Sequence, residues 1–140
     1  MKGESAFFDT NIILYAFAKN DPRADIAERL LANGGVVGVQ ILNEFAAVSL
    51  RKLGMSWKEV RAALSALRLL FPSPVPVTVR THETALRIAE QYRYHIYDSL
   101  VIAAALEARC DTLFSEHMSD GHVINGLTIR NPFQAGQPAG

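Results

Sequence analysis

Short apolar runs alternate along this chain with longer stretches of helical period, and that alternation leaves few ways to bury the hydrophobic groups. A short buried strand followed by an amphipathic helix is the βαβ unit, so the pattern predicts the α/β class with a mainly parallel central sheet. Ala6-Phe7-Phe8 reads as the first strand, with apolar character continuing from Thr10 to Phe17. Asp21-Pro22 can open a helix that runs to about Ala32 and stops at Asn33-Gly34-Gly35. Val36 to Val39 reads as a second strand, followed by a helix from Gln40 to Leu53 that ends at Gly54. Ser56 and Glu59 have the spacing of a capping box at the head of a helix from Trp57 to Phe71. Val75 to Val79, among prolines, is expected to be a short edge strand. Thr81 is expected to cap a helix reaching Tyr92, and Asp98 to Ala108 a buried helix. Thr112 to Phe114 and Leu127 to Ile129 read as the last strands, the latter after the turn pair Asn125-Gly126.

With 140 residues and 49% hydrophobic content, the chain can build one core, so a single domain over 1–133 is expected. The small and polar residues of 134–140 are expected to form a disordered tail. Lys and Arg number fourteen, as do Asp and Glu, so no net field draws the molecule to nucleic acid or to an anionic membrane. RNA contact must come from local patches, for which Arg51, Lys52, Lys58, Arg61, Arg87 and Arg93 are candidates. A lone cysteine, Cys110, excludes an intramolecular disulfide and a cysteine-built zinc site. An acid at position 4 and Asp9 interrupt the start before any signal-peptide core, and Leu100 to Leu106 falls far short of the ~20 residues that span a bilayer. A cytoplasmic protein without membrane association is expected.

The acidic residues carry the chemistry. In an open parallel sheet, ligands bind beyond the carboxyl ends of the strands. Asp9 ends the first strand, Glu44 lies early on the helix after the second, and Glu116, His117 and Asp120 follow Thr112 to Phe114. Asp98 shares a helical stripe with Val101, Ile102 and Ala105, so its carboxylate begins a face that is otherwise core. A charge so placed needs hydrogen bonds, a cation or protonation. Helix capping would account for Asp9 and Asp98 singly, the latter ahead of a helix starting at Ser99, and an arginine such as Arg51 would account for Glu44. If the sheet gathers these carboxylates, a divalent cation relieves their repulsion, and an all-oxygen site suits Mg²⁺ or Mn²⁺. Glu116 reads as structural or solvent-facing.

The segments FFDTNIILYAF, ILNEFAAV, YDSLVIAAALEARCDTLFSE and GLTIRNPF resemble, in order, the successive motifs of PIN-domain proteins, and most nearly the VapC-type toxin ribonucleases of bacterial toxin–antitoxin pairs. The likeness spans about positions 5 to 133. It implies a PIN-like three-layer α/β/α fold and an acidic pocket that binds Mg²⁺ or Mn²⁺ and hydrolyses RNA phosphodiesters, often of tRNA or other structured RNA, leaving a 3′-hydroxyl and a 5′-phosphate. Its first three acids match Asp9, Glu44 and Asp98, as metal ligands and catalytic residues. Where the family places a fourth acid, this chain has His117, expected as a catalytic residue that ligates Mn²⁺ or hydrogen-bonds a metal-bound water, with Asp120 near enough in sequence to substitute as a metal ligand. Thr10, Asn11 and Ser115 are short polar groups suited to hydrogen bonds that aim carboxylates at a metal. The resemblance also implies a homodimer and a small VapB-type antitoxin; Ile26 to Leu31 and Val60 to Leu70 offer apolar surface for either contact.

Two other acidic-pocket enzymes or switches fit poorly. A phosphate-receiving signalling domain needs a later lysine, and none occurs after Lys58; a haloacid-dehalogenase-like phosphatase begins Asp-x-Asp, where this chain has Asp9-Thr10-Asn11. The alternative that stands is a PIN-like module that binds RNA or protein with weakened catalysis, because its fourth acid is missing. Tyr92, Tyr94 and Tyr97 could stack bases near Asp98, or belong to the core or an interface.

Overall fold

A computed structural model describes residues 5–18 and 20–134; the tail expected over 134–140 lies, apart from Gln134, outside the described residues. In chain order the elements are β1 (Ala6–Phe8), α1 (Thr10–Ala16), α2 (Arg23–Ala32), α3 (Val39–Arg51), α4 (Trp57–Leu70), α5 (Val79–Tyr92), α6 (Ile96–Glu107), β2 (Thr112–Phe114), β3 (Val123–Ile124) and β4 (Leu127–Arg130). The sheet runs in the order β1-β2-β4-β3, parallel between β1 and β2 and between β2 and β4, antiparallel only at β3. Helices cover this sheet in a three-layer α/β/α arrangement, as the alternating pattern predicts. None of the helices among the described residues is long and apolar enough to cross a membrane.

Burial follows the sequence pattern. Phe7, Phe8, Leu113 and Ile129 come from the strands, and Ile12, Ile13, Ile41, Phe45 and Ile102 from the helices, all essentially inaccessible to water. Val101 through Ala105 are buried without interruption, which makes α6 the central helix its apolar composition demands. Phe8 anchors the packing, with its ring 5.8 Å from that of Phe71 and 6.0 Å from that of Phe114.

Four local expectations are corrected. The strands expected at Val36–Val39 and Val75–Val79 shrink to single parallel bridges, Phe7 to Val36 and Gly38 to Val75. Pro74 and Pro76 flank Val75 and have no N–H to extend a ladder, while the backbone turns into α3 at Val39 and into α5 at Val79. Gly35 runs so close to β1 that a Cβ would stand 2.5 Å from the Ala6 carbonyl oxygen. The α5 cap is Thr78 rather than Thr81: the Thr78 hydroxyl accepts from the Thr81 N–H, and Thr81 returns the bond to the Thr78 N–H. Asp98 is not a cap either. His95 caps α6, its Nδ1 accepting from the Tyr97 N–H at 3.3 Å, and Asp98 stands inside the first turn. Finally, Val123–Ile124 form a strand missed in the sequence; Asn125 and Gly126, at φ of 49° and 86°, close its hairpin with β4.

Candidate metal centre

The parallel pairing of β1 with β2 brings two chain segments a hundred residues apart to one edge of the sheet. The Asp9 N–H donates to the Phe114 carbonyl at 3.0 Å, so Asp9 and Ser115 leave adjacent strands side by side. Asp9 caps α1, with Oδ1 accepting from the Thr10 N–H at 2.8 Å and Oδ2 from the Ser115 hydroxyl at 2.8 Å. Only 3% of Asp9 is exposed. Burial pushes its carboxyl up from the ordinary aspartate value; His117, the Ser115 hydroxyl and the Thr10 N–H pull it back, and Asp98 adds to the rise.

Helix α6 delivers Asp98, whose side chain is 28% exposed, and the loop after β2 delivers His117. His117 Nε2 lies 2.9 Å from Asp98 Oδ1 and 3.7 Å from Asp9 Oδ2. The bond to Asp98 is the chief influence raising the imidazole pKa; burial opposes it, and the charges of Asp9, Asp98 and Glu44 reinforce it. Asn11 fixes the other side of the ring. Its Oδ1 accepts from the Glu116 N–H at 3.2 Å, which turns its Nδ2 toward His117 Nδ1 at 2.9 Å. In the neutral ring Nδ1 is therefore the acceptor, and the proton sits on Nε2, facing Asp98.

Glu44 stands beside this group on α3. The Thr10 hydroxyl donates to its Oε1 at 2.6 Å, and Gln40 Nε2 donates to its Oε2 at 3.0 Å. Among the described residues no arginine pairs with it, so the ion pair considered with Arg51 is not formed. Glu116, in contrast, is turned away: it accepts from the Tyr15 hydroxyl at 2.6 Å and from Arg23 at 3.1 Å, with the Arg23 guanidinium 4.0 Å over the Tyr15 ring. Burial and the bond to Glu116 push the Tyr15 hydroxyl up to about 12. Asp120 accepts from the Asn131 N–H at 2.7 Å and is outside the ligand group below.

One ligand atom from each of Asp9, Asp98 and His117 lies within 4.8 Å of the others. Bonds of about 2.1–2.4 Å to one cation reach across such a gap. A donor set of two carboxylates and an imidazole could hold a divalent cation. The structure thus gathers Asp9, Asp98 and His117; Glu44, linked to Asp9 through Thr10, and Asp120 are not in that group. Gln40, Tyr15 and Arg23 were not anticipated as supports. Gln40 precedes Glu44 by one helical turn, a spacing that could have revealed it; Arg23 to Glu116 spans the fold and leaves no local signal.

The PIN domain profile matches residues 6–117, and the chain belongs to that family. A toxin–antitoxin complex from Klebsiella pneumoniae has a similar fold, with a TM-score of 0.72 at 19% identity, covering 93% of this chain and 99% of that one. The sarcin-ricin loop cleaving toxin VapC20 of Mycobacterium tuberculosis has a TM-score of 0.62 at 23% identity, covering 78% and 87%. VapBC2 from Rickettsia felis, bound to a DNA fragment from its promoter, has a TM-score of 0.65 at 19% identity, covering 90% and 97%. No curated protein sequence matches the chain.

Proposed function

We propose that the chain is a single-domain, VapC-type endoribonuclease toxin of the cytoplasm, dependent on Mg²⁺ or Mn²⁺, that hydrolyses phosphodiester bonds of structured RNA. The observation that carries this reading is the convergence of Asp9, Asp98 and His117 within 4.8 Å at the carboxyl edge of the sheet. Asp9 and Asp98 would hold the cation, joined by Glu44, which is outside that group and is linked to Asp9 through Thr10. When bound, the cation supplies Lewis-acid activation of the attacking water and offsets charge that builds on the phosphate.

The chain's own groups prepare that site. Ser115 and the Thr10 N–H fix both oxygens of Asp9 and oppose the protonation that burial favours. The Thr10 hydroxyl orients Glu44, and so couples α1 to α3. His117, held by Asn11, keeps a proton at Nε2 against Asp98, where a fourth carboxylate would only add repulsion. Ligation through Nε2 would require that proton to move to Nδ1 and Asn11 to give up its bond to the Glu116 N–H. Hydrogen bonding is therefore the role this geometry favours for His117, while Asp120 accepts from the Asn131 N–H.

The toxin–antitoxin complexes among the similar folds support a VapB-type antitoxin as partner, and a homodimer completes the proposed assembly. The test is incubation of purified protein with labelled structured RNA and Mn²⁺. Cleavage that Asp9→Asn abolishes supports the enzyme. Tight RNA binding without products supports instead a PIN-like binding module, the reading that the histidine at position 117 favours.

A further inference from the structure

The three tyrosines ahead of Asp98 have different fates. Tyr92 and Tyr94 pack against the core and engage His122, Tyr92 edge-on at 5.1 Å and Tyr94 stacked at 5.7 Å with its hydroxyl 2.8 Å from Nδ1. Tyr97 does neither. It is 56% exposed, and its ring lies 5.7 Å from that of His95 at an interplanar angle of 23°. His95 is itself anchored, because its Nδ1 caps the Tyr97 N–H, so the two rings are set by the backbone that begins α6.

We propose that Tyr97, backed by His95, is a stacking platform for one unpaired base of the substrate RNA next to the bond that is cut. This rests on the ribonuclease reading above. A stacked pair covers one face of the Tyr97 ring and leaves the other to water, where an aromatic surface gains by meeting a base. Tyr97 directly precedes Asp98 in the first turn of α6, so ring and carboxylate leave the same turn about 100° apart, a separation that neighbouring nucleotides of one strand can bridge. A carbon-rich platform also suits a chain of zero net charge, since it adds affinity without a basic patch. Tyr97 is a binding residue here, and its ring rather than its hydroxyl does the binding.

The test uses the full chain free of metal, in EDTA, so that RNA is held without turnover, and measures anisotropy of a labelled hairpin RNA with an unpaired loop. Tyr97→Phe is expected to leave affinity within about 2-fold, whereas Tyr97→Ala weakens it by about 5- to 150-fold. An abasic nucleotide walked through the loop should meet one position where the loss seen with the tyrosine vanishes in Tyr97→Ala. Equal affinity of the Ala and Phe variants, or no position at which the losses overlap, overturns the platform. So does a change of oligomeric state with Tyr97→Ala on light scattering, which would assign the ring to a protein contact. If the platform holds while the unsubstituted chain cuts no RNA, the ribonuclease reading fails alone; if the chain cuts and the overlap is absent, the platform fails alone.

Discussion

Ser115 and Ser99 make a matched pair in which the same atom can be removed with opposite results. Both are fully buried. The Ser115 hydroxyl donates to Asp9 at 2.8 Å, and the Ser99 hydroxyl has no hydrogen-bond partner among the described residues. A hydrogen bond to a charged group contributes about 1.5–3 kcal/mol, so Ser115→Ala should cost that much in metal-free protein. With an unfolding entropy of about 2.1 cal/mol/K per residue, a chain of 140 residues loses about 5–10 °C in Tm for that cost. Ser99→Ala removes a buried hydroxyl that gains nothing from folding, so its Tm should stay level or rise. Differential scanning fluorimetry in EDTA measures both. A Tm for Ser115→Ala within about 1 °C of the parent, or equal losses in the two variants, would refute the claim that this bond holds Asp9 in place.

Asp9→Asn should abolish RNA cleavage while lowering metal-free Tm less than Ser115→Ala does, because the amide loses the charged hydrogen bonds but also escapes the burial penalty of the ionised carboxylate; cleavage assays and thermal scans on one preparation check it. His117 has a folded pKa raised above its usual 6.5, so the stability it contributes is complete below pH 6.5 and is lost as pH rises through the folded value. Metal-free protein should therefore melt lower at pH 9 than at pH 6, and His117→Asn should flatten that slope. Thr10→Val cuts the bond to Glu44 and should weaken Mn²⁺ binding by about 10- to 100-fold, read by titration calorimetry. Gly35→Ala places a Cβ against the Ala6 carbonyl and should destabilise by about 1–3 kcal/mol in urea unfolding.

The sheet and helices were legible where periodicity was strong. Ala6–Phe8, Thr112–Phe114 and the Ser56 capping box stand where local pattern places them, because burial and capping are decided within a few residues. The misplaced parts depend on distant contacts. Val36 and Val75 have strand-forming residue types, but the length of their pairing is set by the prolines and by how closely Gly35 meets β1. Val123–Ile124 is too short to show alternation and exists through its hairpin with β4. At the site, the position of Asp9 followed from the end of a strand and that of Asp98 from an acid on an apolar stripe. The bond of His117 to Asp98 and the commitment of Asp120 to Asn131 depend on loop geometry after β2, which spacing alone does not encode.

Direct titration of Mn²⁺ into the metal-free protein at pH 7.5, followed by calorimetry or by the loss of the free-ion electron-spin signal, decides whether these side chains serve a shared dication. Saturable binding that is lost in both Asp9→Asn and Asp98→Asn, and kept in Asp120→Asn, is the expected result. No saturable binding, or binding that survives in the two site variants, would contradict the account.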